Sequence, residues 1–319
     1  MHDEIRRRVG RFLDSLDASA VRRDVLAVVV AGSAARGEER WSDGRLLSDI
    51  DVMVITRSSP WRIDRSLAVD RVFAAHAEDG VEGGRIPLST LRYATLAHYE
   101  ARHRGVVVSG DPAVLERIPI ADATEIPPWE GVRLSANRLF EHLKHRAGIT
   151  SAESAVLKSY EAIGEAQLVL ERRYQPSFRG RVEEMRHRPV SGPVADTEQL
   201  YERAMRMRQG EIPDLGVSPD RALQDLTLQL ESALRDLSGR DGGLGEQLVL
   251  LARAERHLSH RAYWTLRGVG HPPRYLPTED PIITLWRSAA QSLRGDRPGD
   301  DPGRLVQSWQ RCPQILRSR

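Results

Sequence analysis

Cysteine is nearly missing from this sequence: Cys312 stands alone. A single thiol excludes an intramolecular disulfide framework and any cysteine-rich zinc site. Lysine is nearly missing too. Of the 47 basic residues only Lys144 and Lys158 are lysines, and the other 45 are arginines. Where a surface position needs only positive charge this chain writes arginine, so each lysine is informative. A surplus of charge of one sign is also lacking. The formal net charge of +2 is too small to argue for a nucleic-acid partner, and most arginines sit among Glu and Asp at helical spacing, the pattern of a solvated face. No apolar run reaches the roughly 18 residues of a candidate membrane span, so no membrane partner is expected. The stretch from Met1 to Arg8 carries charges with no apolar core behind them. That is not a signal peptide, and a cytoplasmic location is expected. No repeat or low-complexity tract stands out.

What is present is concentrated between Val28 and Ile55. The run Val25 to Val30 reads as a buried strand. It breaks at Gly32-Ser33, a small, flexible pair. After a spacer comes Ser48-Asp49-Ile50-Asp51-Val52-Met53-Val54-Ile55, in which two carboxylates alternate with apolar residues and lead into a second strand. Side chains alternate along a strand, so Asp49 and Asp51 are expected on one face, about 7 Å apart. Like charges at that spacing repel, and a dication between them removes the cost. Mg²⁺ takes oxygen ligands and commonly sits on one or two carboxylates plus substrate phosphates. Backbone N–H groups of a small-residue turn can cradle a phosphate. A phosphate cradle followed by a metal pair is the equipment for phosphoryl or nucleotidyl transfer.

On these residues the sequence resembles the DNA polymerase β-like nucleotidyltransferase superfamily. The signature stands as Ala31-Gly32-Ser33, a spacer, then Asp49-Ile50-Asp51-Val52, with Arg36-Gly37-Glu38 and Ser48 flanking it. The likeness is strongest to the small minimal and antibiotic nucleotidyltransferases. The spacer, Glu39 to Leu47, is longer than usual. The alternative reading of the same stretch is a Gly-Ser hairpin followed by an edge strand with outward polar positions.

Along the rest of the first part, Asp3 to Leu16 has a helical period, Ser33 to Glu38 reads as a short helix, and Glu39 to Leu47 as a polar loop. A helix is expected from Pro60 to about Ala77, and a third strand over Val81 to Leu88, weakened by Gly83 and Gly84. In the superfamily this strand brings a third carboxylate that ligates metal and accepts the attacking hydroxyl's proton. Here that position falls on Glu82, with Asp79 nearby. The competing reading makes Glu82 a surface carboxylate beside a turn. Leu91 to Arg104 reads as helix, Gly105 to Val108 as a short strand, and Ile118 to Trp129, with three prolines, as a linker. After it no strand-like run returns, and helices are expected over Gly131–Arg146, Ala152–Tyr174, Arg179–Arg188, Thr197–Gln209, Asp220–Leu237, Leu244–Leu266 and Pro281–Leu293, punctuated by prolines. The expected fold is α+β: a small mixed β-sheet nucleotidyltransferase domain over residues 1–126, then an all-helical domain over 127–319.

In the helical part, the stretch from Leu157 to Gly164 resembles the helix that in related nucleotidyltransferases packs over the active site and presents a lysine to the triphosphate. Lys158, Glu161 and Glu165 share a helix face. The plainer reading is a surface ion pair, Lys158 with Glu161. His142 with His145, and His257 with His260, are spaced one turn apart, but without a third ligand they read as solvated faces rather than metal sites. Tyr263, Trp264, Trp286 and Trp309 read as helix core.

The resemblance implies an enzyme that moves an NMP from an NTP (ATP among the candidates) to an acceptor hydroxyl, releasing pyrophosphate. Asp49, Asp51 and Glu82 would hold two Mg²⁺ ions, and Gly32, Ser33, Arg36, Ser48 and Lys158 would contact the nucleotide. The acceptor stays open between a small molecule, an RNA end and a protein hydroxyl. Two alternatives belong to other classes: a toxin or antitoxin component acting on a tRNA or protein partner, and an inactive nucleotide-binding homologue.

Overall fold

The computed structural model describes residues 1–42, 44–254, 280–295 and 301–311. The chain divides into two compact units, Met1–Pro127 together with Gln175–Arg181, and Pro128–Tyr174 with the described residues from Val182 onward. The fold is α+β, a small mixed sheet and a helical part.

The first unit is built on a four-stranded sheet. Helix α1 (Asp3–Asp17) precedes strand β1 (Val25–Val30), and α2 (Gly32–Arg36) follows it at once. Two-residue strands β2 (Trp41–Ser42) and β3 (Arg45–Leu46) come next, then β4 (Ile50–Thr56), α3 (Ile63–Ala75), β5 (Val81–Pro87), α4 (Leu96–Arg104) and β6 (Val106–Gly110). The sheet order is β5-β4-β1-β6. Strand β1 is antiparallel to β4 and β6, and β4 is parallel to β5.

Alternation along the strands builds two cores, one on each face. Val28, Val30, Ile50, Val52 and Val54 face Phe12 of α1 and Phe73 of α3. Ala27, Val29, Met53 and Ile55 face Leu91, Ala101, Val114 and Ile118. The apolar period of α1 thus seats Ile5, Val9, Phe12 and Leu16 across the first face. His76, capping α3, ties the two helices together: its ring nitrogens reach Ser15 Oγ at 2.9 Å and Asp79 Oδ2 at 3.0 Å.

The second unit is helical among its described residues. Its helices are α5 (Trp129–Arg146), α6 (Ala152–Leu170), α7 (Phe178–His187, which starts within the first unit's segment), α8 (Thr197–Arg208), α9 (Pro219–Ser238), α10 (Leu244–Ala254), α11 (Pro281–Arg294) and α12 (Pro302–Arg311). Most of α6 is buried. Two polar pairs lie inside it: Tyr160 donates to Asp225 Oδ2 at 2.8 Å, and Trp286 Nε1 to Asn137 Oδ1 at 3.0 Å.

Three readings from sequence change. The spacer before Asp49 is a miniature hairpin rather than a plain polar loop, because Trp41 and Leu46 pack on the apolar face that α1 covers. The helix expected from Leu91 starts only at Leu96, as α4, where Thr95 accepts the His98 N–H as its N-cap; a 3₁₀ turn at Leu88–Thr90 precedes it. His142 is buried rather than solvated, with Nε2 2.8 Å from Ser159 Oγ. Trp286 is core, as its spacing indicates. His257, His260, Tyr263, Trp264 and Cys312 lie outside the described residues.

Candidate active site

The topology brings three strand ends to one edge. Strand β1 runs toward that edge, and β4 and β5, the one antiparallel to β1 and the other parallel to β4, both start from it. The Ala31 N–H donates to Asp51 O at 2.8 Å, and Asp51 is in turn the register partner of Glu82. Residues 31, 51 and 82 therefore form one row across three strands. Register partners on neighbouring strands project to the same face, with backbones about 4.8 Å apart. Asp51 and Glu82 thus share the face of Met53, Ile55 and Ile86, and both are exposed at its rim.

Gly32 fits against this row closely. Its φ is +62°, and a Cβ built there would lie 1.9 Å from Asp51 Oδ2. Only glycine takes that conformation freely and also leaves that room. Gly83, φ +144°, plays the matching part on β5: a Cβ there would lie 1.9 Å from Val52 O. Gly83, one of the two glycines that weaken β5 in sequence, is what lets it approach β4 beside Glu82. Asp49 stands just before β4 and is exposed. The ladder starts one residue later, where Ile50 N–H donates to Gly80 O at 2.7 Å. Among the described residues no group of three or more His, Cys, Asp or Glu side chains is gathered as a metal set.

The flanking residues hold this edge in place. Ser48 Oγ accepts the Arg40 N–H at 2.8 Å, and Leu47 N–H donates to Arg40 O at 2.8 Å. These bonds close the base of the hairpin immediately before Asp49. Ser33 is buried, and its carbonyl accepts from Gly37 and Glu38, ending α2 after little more than one turn. Arg36 is drawn inward. Its guanidinium meets Glu38 at 2.6 Å and Glu100 at 3.1 Å and lies over the Phe178 ring. Burial works against its charge, but Glu100, opposed by Arg181, and Glu38 outweigh that, and its pKa is raised. Arg181, 1 % exposed, takes the other Glu100 oxygen at 3.0 Å and stacks over the same ring. Sequence reading missed Glu100, Phe178 and Arg181, which are 64 or more residues from Arg36 and carry no local signal.

Asp79, the other acidic residue near β5, is engaged elsewhere. Arg11 and His76 hold it at 2.5 and 3.0 Å, and its pKa is lowered, first by the Arg11 hydrogen bond and then by His76. That leaves Glu82 as the carboxylate in register with Asp51. Lys158 lies on α6 of the second unit, its Nζ 3.8 Å from Glu161 Oε2, so the ion pair of the plainer reading is present. No protein-family model matches the chain, and no curated protein matches it.

Proposed function

We propose that the first unit is the catalytic part of a metal-dependent nucleotidyltransferase, moving an NMP from an NTP to an acceptor hydroxyl with release of pyrophosphate. The observation that carries this reading is the row itself: Gly32 pressed against Asp51, and Asp51 in register with Glu82. A structural turn and strand need neither two exposed carboxylates side by side nor a glycine under one of them.

The donor set is all oxygen and suits Mg²⁺, which needs only one or two carboxylates when substrate phosphates complete its shell. Asp51 and Glu82 are the first candidates to hold it, with Asp49 at the entry to β4. When bound, such ions neutralise phosphate charge and acidify the acceptor hydroxyl. The residues of the chain do the rest. The Gly32-Ser33 turn receives the phosphates without a side chain in the way. Glu82 accepts the hydroxyl's proton. The acceptor oxygen bonds to the α-phosphorus, and the bond from that phosphorus to the bridging oxygen of pyrophosphate breaks.

Transfer of label from each α-³²P NTP with Mg²⁺, with and without cell extract, tests the reading and shows whether the acceptor is a small molecule, RNA or protein. Asp51→Asn is expected to lower transfer by about a hundredfold or more, on the scale of lost electrostatic stabilisation, with an unchanged circular dichroism spectrum. Undiminished transfer by a folded Asp51→Asn variant would sink the assignment.

A further inference from the structure

Helix α2 has only five residues, Gly32–Arg36, too few to stand on its own hydrogen bonds. The chain closes on itself there, since Ser33 O accepts from the Gly37 and Glu38 N–H groups. What fastens this small loop to the rest of the unit is Arg36, whose side chain is 4 % exposed. Its Nε donates to Glu38 Oε2 at 2.6 Å and its Nη1 to Glu100 Oε2 at 3.1 Å. One anchor lies just past α2 and the other on α4.

The remainder of the clamp comes from far along the chain, yet belongs to the same unit. The Phe178 ring lies 4.7 Å from the Arg36 guanidinium and 4.5 Å from that of Arg181. Arg181 Nη1 donates to the second oxygen of Glu100 and to Gln175 O, each at 3.0 Å. Glu38 Oε1 accepts the Arg179 N–H at 3.4 Å, across 141 residues of sequence. Ser177 Oγ accepts the Gly180 N–H at 3.1 Å and so braces the first turn of α7, which presents these groups.

The charge of Arg36 is already matched by Glu38 and Glu100. A guanidinium so engaged has little left for a triphosphate, whereas its grip decides where Gly32 and Ser33 stand. Gly32 lies one turn before Arg36, and it fits against Asp51 with no room for a side chain. A small rotation of α2 would change that fit. We propose that Arg36 is a positioning residue: held by Glu100 and by the Phe178–Arg181 turn of α7, it fixes the Gly32-Ser33 turn against Asp51, so the distant segment Gln175–Arg181 shapes the site. This rests on the nucleotidyl-transfer reading, and it replaces the direct nucleotide contact that the resemblance gives Arg36.

The test is steady-state label transfer with Mg²⁺ from the α-³²P NTP that the parent uses, beside hydrogen exchange of the peptide amides of residues 33–38. The full chain is compared with Phe178→Leu, Arg36→Lys and the double variant. Phe178→Leu keeps apolar bulk but removes the ring from both guanidinium groups. It should lower kcat about tenfold, on a scale where about 1 Å of misplacement costs a hundredfold, leave KM for NTP within about twofold, and speed exchange at 33–38. Arg36→Lys keeps the charge but cannot bridge two carboxylates, and should show the same losses. Either variant alone decides, should the other fail to fold. In the double variant the losses should not multiply, because both changes break one clamp. A direct contact with the triphosphate would instead raise KM at unchanged kcat and would be largely kept by lysine. The inference is overturned by a parent-like kcat in a folded single variant, by unchanged exchange at 33–38, by a loss confined to KM, or by losses that multiply. Each of these leaves the nucleotidyl-transfer reading standing, whereas absence of any transfer by the parent would overturn that reading and this inference with it.

Discussion

Two glycines carry the geometry of the candidate site, and they make different demands. At Gly32 an alanine would meet the Asp51 carboxylate and would also sit in the left-handed region, which costs an L-residue about 1 kcal/mol or more. Gly32→Ala should lower Tm by a few degrees and reduce label transfer far more than that loss explains, because the displaced group is Asp51. At Gly83 the obstacle is the Val52 carbonyl, part of the β4 backbone, so Gly83→Ala should chiefly destabilise the sheet. Gly84, where a Cβ meets nothing within 4 Å, is the control, and Gly84→Ala should be near neutral. Thermal melts of the three variants beside their transfer rates would separate these effects, and equal losses at Gly83 and Gly84 would contradict the close approach. The Gly-Ser pair and the two aspartates were legible in sequence because each is a local pattern. The pairing of Asp51 with Glu82 was legible only through resemblance, since register across 31 residues of chain is set by how two strands dock.

At the scale of elements, the sheet and most helices could be read from periodicity, as the apolar runs of β1 and β4 and the stripe on α1 show. The hairpin β2–β3 could not. Two-residue strands are too short to alternate, and the spacer offers only Asp43-Gly44 as a local turn signal. The ion-pair network behind α2 was equally hidden. In so arginine-rich a chain Arg36 looks like surface, yet Glu100 holds both Arg36 and Arg181 against one aromatic ring. Glu100→Gln would leave two buried guanidinium groups facing each other without their shared counter-charge. Removing one partner of a buried pair typically costs about 3–5 kcal/mol. Urea unfolding of Glu100→Gln should show a loss approaching that size, only weakly sensitive to added salt because the pair is buried. A loss below about 0.5 kcal/mol would place the network among exposed surface pairs, which contribute little.

For the molecule as a whole, the helical unit adds a pH dependence to folding stability through His142. Ser159 gives its hydroxyl proton to Ala155 O at 2.9 Å, so it accepts at its oxygen, and His142 Nε2 is the donor 2.8 Å away. The ring is therefore satisfied while neutral. Burial first, then His145 and Arg146, lower its pKa from 6.5 to about 4, against smaller opposing effects of Glu141 and Asp220. A depressed histidine pKa means the unfolded chain binds the extra proton between those two values. Stability from this residue is fully present above pH 6.5 and is lost as pH falls toward 4, a total of about 3 kcal/mol at roughly 1.4 kcal/mol per pKa unit. His142→Gln keeps an N–H for Ser159 but cannot ionise. The variant should be less stable than the parent at pH 7.5 through imperfect packing, and the gap should narrow or reverse by about pH 4.5. Urea unfolding from pH 7.5 to 4.5 checks this. Parallel stability curves for the two proteins would mean that His142 takes up its proton as readily in the folded chain as in the unfolded one.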